Sequence, residues 1–116
     1  MNIEGEAQLL RIFVGENETW KGKPLWEALV HEAKEQGLAG ATVLRGVAGF
    51  GTESRIHTTK ILRLSENLPV VVEIVDKTEE IERVLPILDD MVKNEGLITM
   101  ERVNVIPYRF ARKDKD

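Results

Sequence analysis

The order of apolar and polar positions divides the chain into short strand-like runs and longer helix-like segments. Residues 8–15 (QLLRIFVG) and 41–47 (ATVLRGV) are short apolar runs, which predict strands. A third strand is predicted over 61–75, where the centre at 70–75 (VVVEIV) carries the strongest β-branched signal in the chain. Residues 97–106 are interpreted as the last strand.

Two segments between these strands place apolar residues at steps of three and four, which is typical of helices with one buried face. The first opens at Lys23-Pro24, because proline is tolerated at the first helical position, and is expected to end at Gly37. The second follows residue 76 and ends by residue 96. It contains Pro86, where we expect a kink or a restart because proline has no amide N–H to donate.

The elements follow the order strand, helix, strand, strand, helix, strand. Two right-handed βαβ halves of this kind build a ferredoxin-like α+β fold, in which two helices cover one face of a four-stranded antiparallel sheet. We therefore expect a single domain over residues 1–116, with an exposed loop or hairpin tip at 52–60 and a charged tail at 110–116. The uncovered sheet face keeps apolar residues from VVVEIV and VNVI, so we expect an oligomer that buries it.

Charge is distributed unevenly along a chain whose net charge is −4. The net charge is −3 over residues 1–44, +3 over 45–63, −6 over 64–108 and +2 over 109–116. An acidic body argues against nucleic-acid binding, but two basic segments that meet in space would form a compact anion site. A solvated surface is the plainer interpretation of each cation in these segments. The candidate cations are Arg45, Arg55, Lys60, Arg63, Arg109 and Arg112.

The composition removes several classes of function. With no cysteine in 116 residues, disulfides, cysteine-ligated zinc and thiol nucleophiles are excluded. The two histidines lie far apart, and the chain lacks a nucleophile–base pair and a Walker lysine, so we do not expect an enzyme. The N-terminus has no signal-peptide pattern and the longest apolar stretch is far too short to span a bilayer, so we expect a cytoplasmic protein.

Glycines recur at the end of the second predicted strand, at Gly46, Gly49 and Gly51. Glycine permits close approach of the backbone, and amides left free after a strand can donate to phosphate oxygens. A bulge or turn at a strand end also uses glycine, so the spacing alone leaves both interpretations open.

The segment 47–51 (VAGFG), which closes the second strand before a polar loop, resembles the PII signalling proteins, in which a G-F-G turn precedes the mobile T-loop. Residues 105–109 (VIPYR) are similar to the V-I-R-I-R ending of PII. An uncharacterised PII-like branch looks closer still, because it shares the stretch from L-R-G-x-x-G-F-G through L-P-V-V-V-E-I-V-D to E-R-V.

This resemblance implies a homotrimer that binds ATP, ADP, AMP or a similar small anion in clefts between subunits, with no required cofactor. It implies that residues 49–51 form the base of the T-loop against the nucleotide, with Arg109 near the phosphates. The candidate nucleotide-binding residues are therefore Gly49, Phe50, Gly51, Arg109, Arg45 and Arg112. Arg55, His57 and Lys60 are candidates for contact with a regulated protein or a membrane channel or transporter.

The chain departs from PII where the nucleotide is bound. Thr52 and Glu53 replace the arginine and glutamine that follow G-F-G, and Pro107 replaces an arginine. The loop before the last strand, at 93–96, lacks the glycine-rich stretch with its lysine. The 52–60 loop has no tyrosine, so the uridylylation known in PII is not expected. We therefore expect a nucleotide site that is weaker than that of PII or differently built.

The alternative is a divalent-metal-handling trimer that resembles the cation-tolerance proteins of the same architecture. Glu27, His31 and Glu35 follow one another at four-residue steps and share one helix face, where an imidazole and two carboxylates could hold a divalent ion. His57 is a second candidate. A solvated, charged helix face explains the trio more simply, so no metal site is assigned.

Overall fold

The four long strands and two helices follow one another along the chain in the predicted order. The computed structural model describes residues 4–49 and 67–106. The elements are β1 (Gly5–Gly15), β2 (Thr19–Trp20), β3 (Lys23–Pro24), α1 (Leu25–Glu35), β4 (Thr42–Arg45), β5 (Pro69–Asp76), α2 (Thr78–Val92) and β6 (Gly96–Val105).

Four of these strands form one antiparallel sheet in the spatial order β4-β5-β1-β6. β1 lies at the centre, where Leu9 faces Val75 of β5 on one side and Glu101 of β6 on the other. The two strands joined through α1 are separated by β5, and the two joined through α2 are separated by β1. This is the strand order of two interleaved βαβ units, so the predicted ferredoxin-like fold is confirmed.

The core lies between the sheet and the two helices. Along β5, Val70, Val72 and Ile74 are at most 3% exposed, while the residues between them are half-buried. Each aliphatic side chain buried in this way contributes about 1.5–3 kcal/mol relative to an exposed one, so the apolar stripes hold both helices against the sheet. The other large side chains buried completely are Leu10, Ile12, Leu25, Leu29, Ile81, Val84, Leu88 and Val92.

Pro86 does not interrupt the second helix. α2 is one helix from Thr78 to Val92, and Pro86 lies on its exposed side. The predicted restart is therefore wrong. An interior proline costs about 3 kcal/mol in an isolated helix, but the stripe of α2 is buried on both sides of it, at Val84 and Leu88. Burial of that stripe outweighs the missing hydrogen bond.

A small hairpin before α1 is a feature that the hydrophobic pattern did not indicate. β2 and β3 contain two residues each, and Trp20 pairs with Lys23 across the turn. Lys21 and Gly22 form that turn with positive φ values of 45° and 83°. The Lys21 ammonium lies 4.7 Å from the centre of the Trp20 ring, a cation–π contact that covers the indole.

The predicted stop at Gly37 is confirmed, and its hydrogen bonds explain it. Gly37 has φ 80°, and its N–H donates to the carbonyl of Lys34 at 3.0 Å, while the N–H of Leu38 donates to the carbonyl of Ala33 at 3.1 Å. This is a Schellman ending, which favours glycine because other residues are strained at positive φ. Leu38 is buried just beyond it and anchors the chain before β4.

One buried carboxylate links the segment that follows α1 to the residue that precedes α2. Asp76, at the end of β5, is 3% exposed and accepts the N–H of Ala39 at 2.8 Å and that of Lys77 at 2.7 Å. The first bond fixes the segment between α1 and β4, and the second fixes the entry to α2. Asp76 therefore acts through the backbone of two segments, rather than as the side-chain cap of α2 that its position suggests.

Candidate functional site

The first candidate site residue, Arg45, lies at the end of edge strand β4. Its guanidinium forms an ion pair with the carboxylate of Glu16, just beyond the end of β1. The Arg45 side chain is 62% exposed and that of Glu16 is 26% exposed. The cation is thus accessible to a solute, but in this structure it already has an anionic partner.

The glycines after Arg45 pack against Pro69, the first residue of β5. The N–H of Gly46 donates to the carbonyl of Pro69 at 2.8 Å. A Cβ atom added to Gly46 would lie 2.7 Å from Cγ of Pro69, and one added to Gly49 would lie 3.1 Å from the same atom. For Gly46, close packing on the proline ring explains the residue type, and for Gly49 a tighter than usual contact with the same ring adds to its positive φ of 155°. The amide of Gly46 is already hydrogen-bonded, so it is not one of the free donors that the glycine pattern suggested.

The turn that carries Glu16 is also hydrogen-bonded to the start of β5. The N–H of Glu16 donates to the carbonyl of Leu68 at 2.7 Å, and the N–H of Asn17 donates to Oδ1 of Asn67 at 2.8 Å. Asn67 has φ 28°, a conformation that asparagine tolerates better than most residues.

These contacts define a strand-end cluster, made of Glu16, Asn17, Arg45, Gly46, Gly49, Asn67 and Pro69. It brings Arg45 and Asn67, which precede and follow the segment 50–66, to one turn after β1. Glu16, Asn17 and Asn67 were missed by the sequence reasoning. Local signals mark them only as turn residues, since a Gly-Glu-Asn run after a strand is typical of a turn.

The remaining predicted site residues lie outside the described ranges and stay predictions. They are Phe50, Gly51, Arg55, His57, Lys60, Arg63, Arg109 and Arg112. The loop at 52–60 and the charged tail at 110–116 lie outside these ranges as well.

The helix face with Glu27, His31 and Glu35 is the candidate metal site that lies within the described residues. Across residues 4–49 and 67–106, the structure holds no group of three histidine or acidic side chains that could bind one. His31 is exposed on α1. In the same part of the chain, neither helix has the length and apolarity that a bilayer crossing requires.

The sheet face opposite the helices is partly apolar and uncovered. Residues paired directly across antiparallel strands share a face, and Leu44, Val71, Phe13 and Leu97 form one such row across all four strands. Leu44 is 48% exposed and Leu97 is 54% exposed. We call this surface the open face.

An arginine lies at the centre of the open face. Arg11 donates to Glu73 at 2.9 Å and to Glu101 at 3.1 Å. Its hydrogen bond with Glu73, and secondly that with Glu101, raises the pKa of Arg11 above its ordinary value. The guanidinium is therefore charged at neutral and moderately alkaline pH, and it forms hydrogen bonds with two carboxylates.

A concave surface lies at the edge of the sheet formed by β6. It is a shallow, open groove lined by Glu6, Arg102, Val103 and Asn104, in which Arg102 pairs with Glu6 at 3.1 Å. It resembles the strand-end cluster in having one exposed arginine–glutamate pair, but it has no glycines packed beside the cation.

Comparison with known proteins identifies the family. The model of DUF190, described as Uncharacterized ACR, matches residues 7–105. The chain belongs to this family. A UPF0166 protein of Aquifex aeolicus (strain VF5) is 48% identical over 101 residues, which cover 87% of this chain and 94% of the relative.

Solved structures similar to this DUF190 chain include PII-like proteins. One is CPII of Thiomonas intermedia K12, a nitrogen regulatory PII-like protein that was solved with ADP, AMP and bicarbonate. It superposes on this chain with a TM-score of 0.61 at 12% identity, and the match covers 86% of this chain and 92% of CPII. The GlnK–ATP complex of B. subtilis gives a TM-score of 0.56 at 18% identity, covering 87% of this chain and 84% of GlnK. At these identities the likeness establishes the PII-like fold.

Proposed function

We propose that this DUF190 chain is a PII-like regulatory protein that binds an adenine nucleotide, or a similar small anion, in clefts between the subunits of a homotrimer. Binding would change the 52–60 loop and so its affinity for a regulated protein or membrane transporter. The protein acts by binding and carries no catalytic residue in this proposal. Its support comes from the strand-end cluster, the open face and the ligands bound by proteins of the same fold.

The strand-end cluster carries the proposal. It presents an exposed guanidinium, that of Arg45, at the strand end where Gly46 and Gly49 pack against the ring of Pro69. A guanidinium can bind a phosphate through two parallel hydrogen bonds. The cluster directly precedes the candidate loop at 52–60, so a ligand held there is well placed to influence it.

Proteins of this fold supply the ligand class. CPII was solved with ADP, AMP and bicarbonate, and GlnK with ATP. An adenine nucleotide and a small carboxylate-like anion are therefore the first ligands to test on this chain.

The open face supports the homotrimer. The row formed by Leu44, Val71, Phe13 and Leu97 would remain wet in a monomer, and burial of apolar area is the main drive for association. A cleft shared by two subunits would also bring a second chain's surface to the strand-end cluster.

Calorimetric titration with ATP, ADP and AMP tests the nucleotide site. We expect saturable binding at millimolar ligand or below in the wild-type protein. Arg45→Ala should weaken it by about 10- to 100-fold, because a hydrogen bond to a charged group contributes about 1.5–3 kcal/mol. Arg102→Ala is the matched control, since it removes an equally simple arginine–glutamate pair from the groove at the far edge.

The two variants separate the possible sites. Loss of binding in Arg45→Ala alone supports the strand-end cluster, and loss in Arg102→Ala alone transfers the site to the groove. No heat of binding with any of the three nucleotides in the wild-type protein would refute the proposed function.

Light scattering after gel filtration tests the homotrimer. A chain of 13.1 kDa should elute as a species of three times that mass. Leu97→Glu should dissociate it, because it places a charge in the apolar row at a position that is 54% exposed in the single chain and therefore tolerates glutamate in a folded monomer. A wild-type species of 13.1 kDa would remove the shared clefts from the proposal.

A further inference from the structure

Glu16 lies against the cation that the proposed function assigns to the ligand. Within residues 4–49 and 67–106, the polar partner of the Arg45 guanidinium is the Glu16 carboxylate, bonded through one terminal nitrogen. The other N–H groups of the guanidinium have no partner among those residues. Within the described part of the chain, the pair is therefore an arginine that has one anion bound and further N–H donors without a partner.

The two members of the pair are held very differently. The backbone of Glu16 is fixed by its own N–H bond to Leu68, and the next residue is fixed by the bond from Asn17 to Asn67. The Glu16 side chain is 26% exposed, whereas that of Arg45 is 62% exposed and extends from an edge strand. The carboxylate thus has the fixed position, and the guanidinium is the member that faces solvent.

We propose that Glu16 is a resident counter-anion, which occupies Arg45 in the empty protein and competes with the ligand's phosphate for it. This inference rests on the proposed function, because it names a residue that sets the affinity and charge preference of the same site. A carboxylate carries one negative charge, so a di- or triphosphate displaces it more readily than a monophosphate does. The exposed pair is weak enough to be exchanged, because exposed ion pairs contribute little to stability.

If Glu16 competes with the ligand, neutralising it should change the ligand affinity in the opposite direction from that expected if Glu16 positions Arg45. If Glu16 held Arg45 in place for the ligand, neutralising Glu16 would weaken binding. If Glu16 competes, Glu16→Gln should strengthen binding, because glutamine keeps the size of the side chain and removes its charge. We expect ADP and ATP to bind about 2- to 5-fold more tightly to Glu16→Gln, a free-energy change that a weak exposed pair can supply. Adenosine, which has no phosphate, should show no change.

The matched control is Glu6→Gln. It neutralises the glutamate of the other exposed pair, with Arg102, at the opposite edge of the sheet, and changes the net charge by the same amount. A gain in Glu16→Gln that is absent in Glu6→Gln therefore reports the local competition and not the general field of an acidic chain. The double variant Glu16→Gln/Arg45→Gln should lose the gain, since the competition acts through Arg45.

Inorganic tripolyphosphate is the second probe. Its binding to the wild type and to the same variants is measured by calorimetry. Tighter tripolyphosphate binding in Glu16→Gln, together with no nucleotide binding in any variant, would support Glu16 as the counter-anion of Arg45 and refute the nucleotide function. Nucleotide binding of equal affinity in the wild type and Glu16→Gln would refute the proposed role of Glu16 and support the proposed nucleotide-binding function. Weaker binding in Glu16→Gln would show that Glu16 positions Arg45, and no binding of either probe would refute both.

Discussion

Gly46→Ala tests the packing on which the strand-end cluster depends. The added Cβ would lie 2.7 Å from Cγ of Pro69, 3.3 Å from its carbonyl oxygen and 3.5 Å from its Cδ. The first separation is shorter than carbon atoms in contact allow, so the proline ring or the backbone of β4 must shift. The N–H of Gly46 is bonded to the same carbonyl, which resists a shift of either strand.

The size of the effect follows from this geometry. Forcing an extra carbon into a packed site costs about 1–3 kcal/mol. For a domain near 100 residues, each kcal/mol lowers the midpoint of thermal unfolding by roughly 4–8 °C. We expect Gly46→Ala to lie in the middle of the first range, because the proline ring can pucker but its carbonyl cannot move independently.

Gly40→Ala is the matched control for the same substitution. Gly40 lies in the segment between α1 and β4, and apart from its chain neighbours no atom of residues 4–49 and 67–106 comes within 4 Å of an added Cβ. Replacing such a glycine by alanine stabilises a protein by about 0.4–1 kcal/mol when its backbone suits alanine. Both variants should be unfolded thermally and with urea at one protein concentration, because the midpoint of an oligomer depends on it.

The double variant Gly46→Ala/Pro69→Ala identifies the contact responsible. Removing the proline ring leaves space for the added Cβ, so the loss in the double variant should be smaller than the sum of the two single losses. Equal stability of Gly46→Ala and Gly40→Ala, or strict additivity in the double variant, would refute the reasoning that Pro69 requires glycine at position 46.

Two further predictions concern charged groups. Asp76→Ala should destabilise the protein by about 2–3 kcal/mol in urea unfolding, because it removes a buried carboxylate that accepts two part-buried backbone hydrogen bonds; a loss below about 0.5 kcal/mol would contradict the role of Asp76. The stability difference between the wild type and Arg11→Met should stay constant from about pH 7 to about pH 10. A group with a raised pKa contributes stability that is lost only as the pH rises through the folded value, which lies above this window; a difference that falls within it would contradict a stabilising, charged Arg11 paired with Glu73.

The hydrophobic pattern predicted the parts of the fold that depend on local periodicity. The β-branched run at 70–75 identified β5, the apolar stripe identified the buried face of α2, and the run of elements identified the ferredoxin-like order. Gly37 could be placed because a helix ending at positive φ has a local signature in sequence. Pro86 was misjudged because its local cost is outweighed by packing against a distant strand.

The contacts of the strand-end cluster could not be predicted in this way. Arg45 and Glu16 are 29 residues apart, and Asn17 and Asn67 are 50 residues apart. Periodicity states which face a residue occupies, but it does not state which residue from another strand end will meet it. The glycine pattern was recognised as a strand end, whereas the proline ring that explains Gly46 and Gly49 became visible only in the folded chain.

A crystal structure grown with ADP would examine the proposed site most directly. We predict a nucleotide between two subunits, with its phosphates bonded to the guanidinium of Arg45 beside Gly49, and with Glu16 no longer paired to that guanidinium. A nucleotide bound in the groove of Glu6 and Arg102, or an Arg45–Glu16 pair that persists beside a fully occupied nucleotide elsewhere, would contradict the assignment of the strand-end cluster as the ligand site.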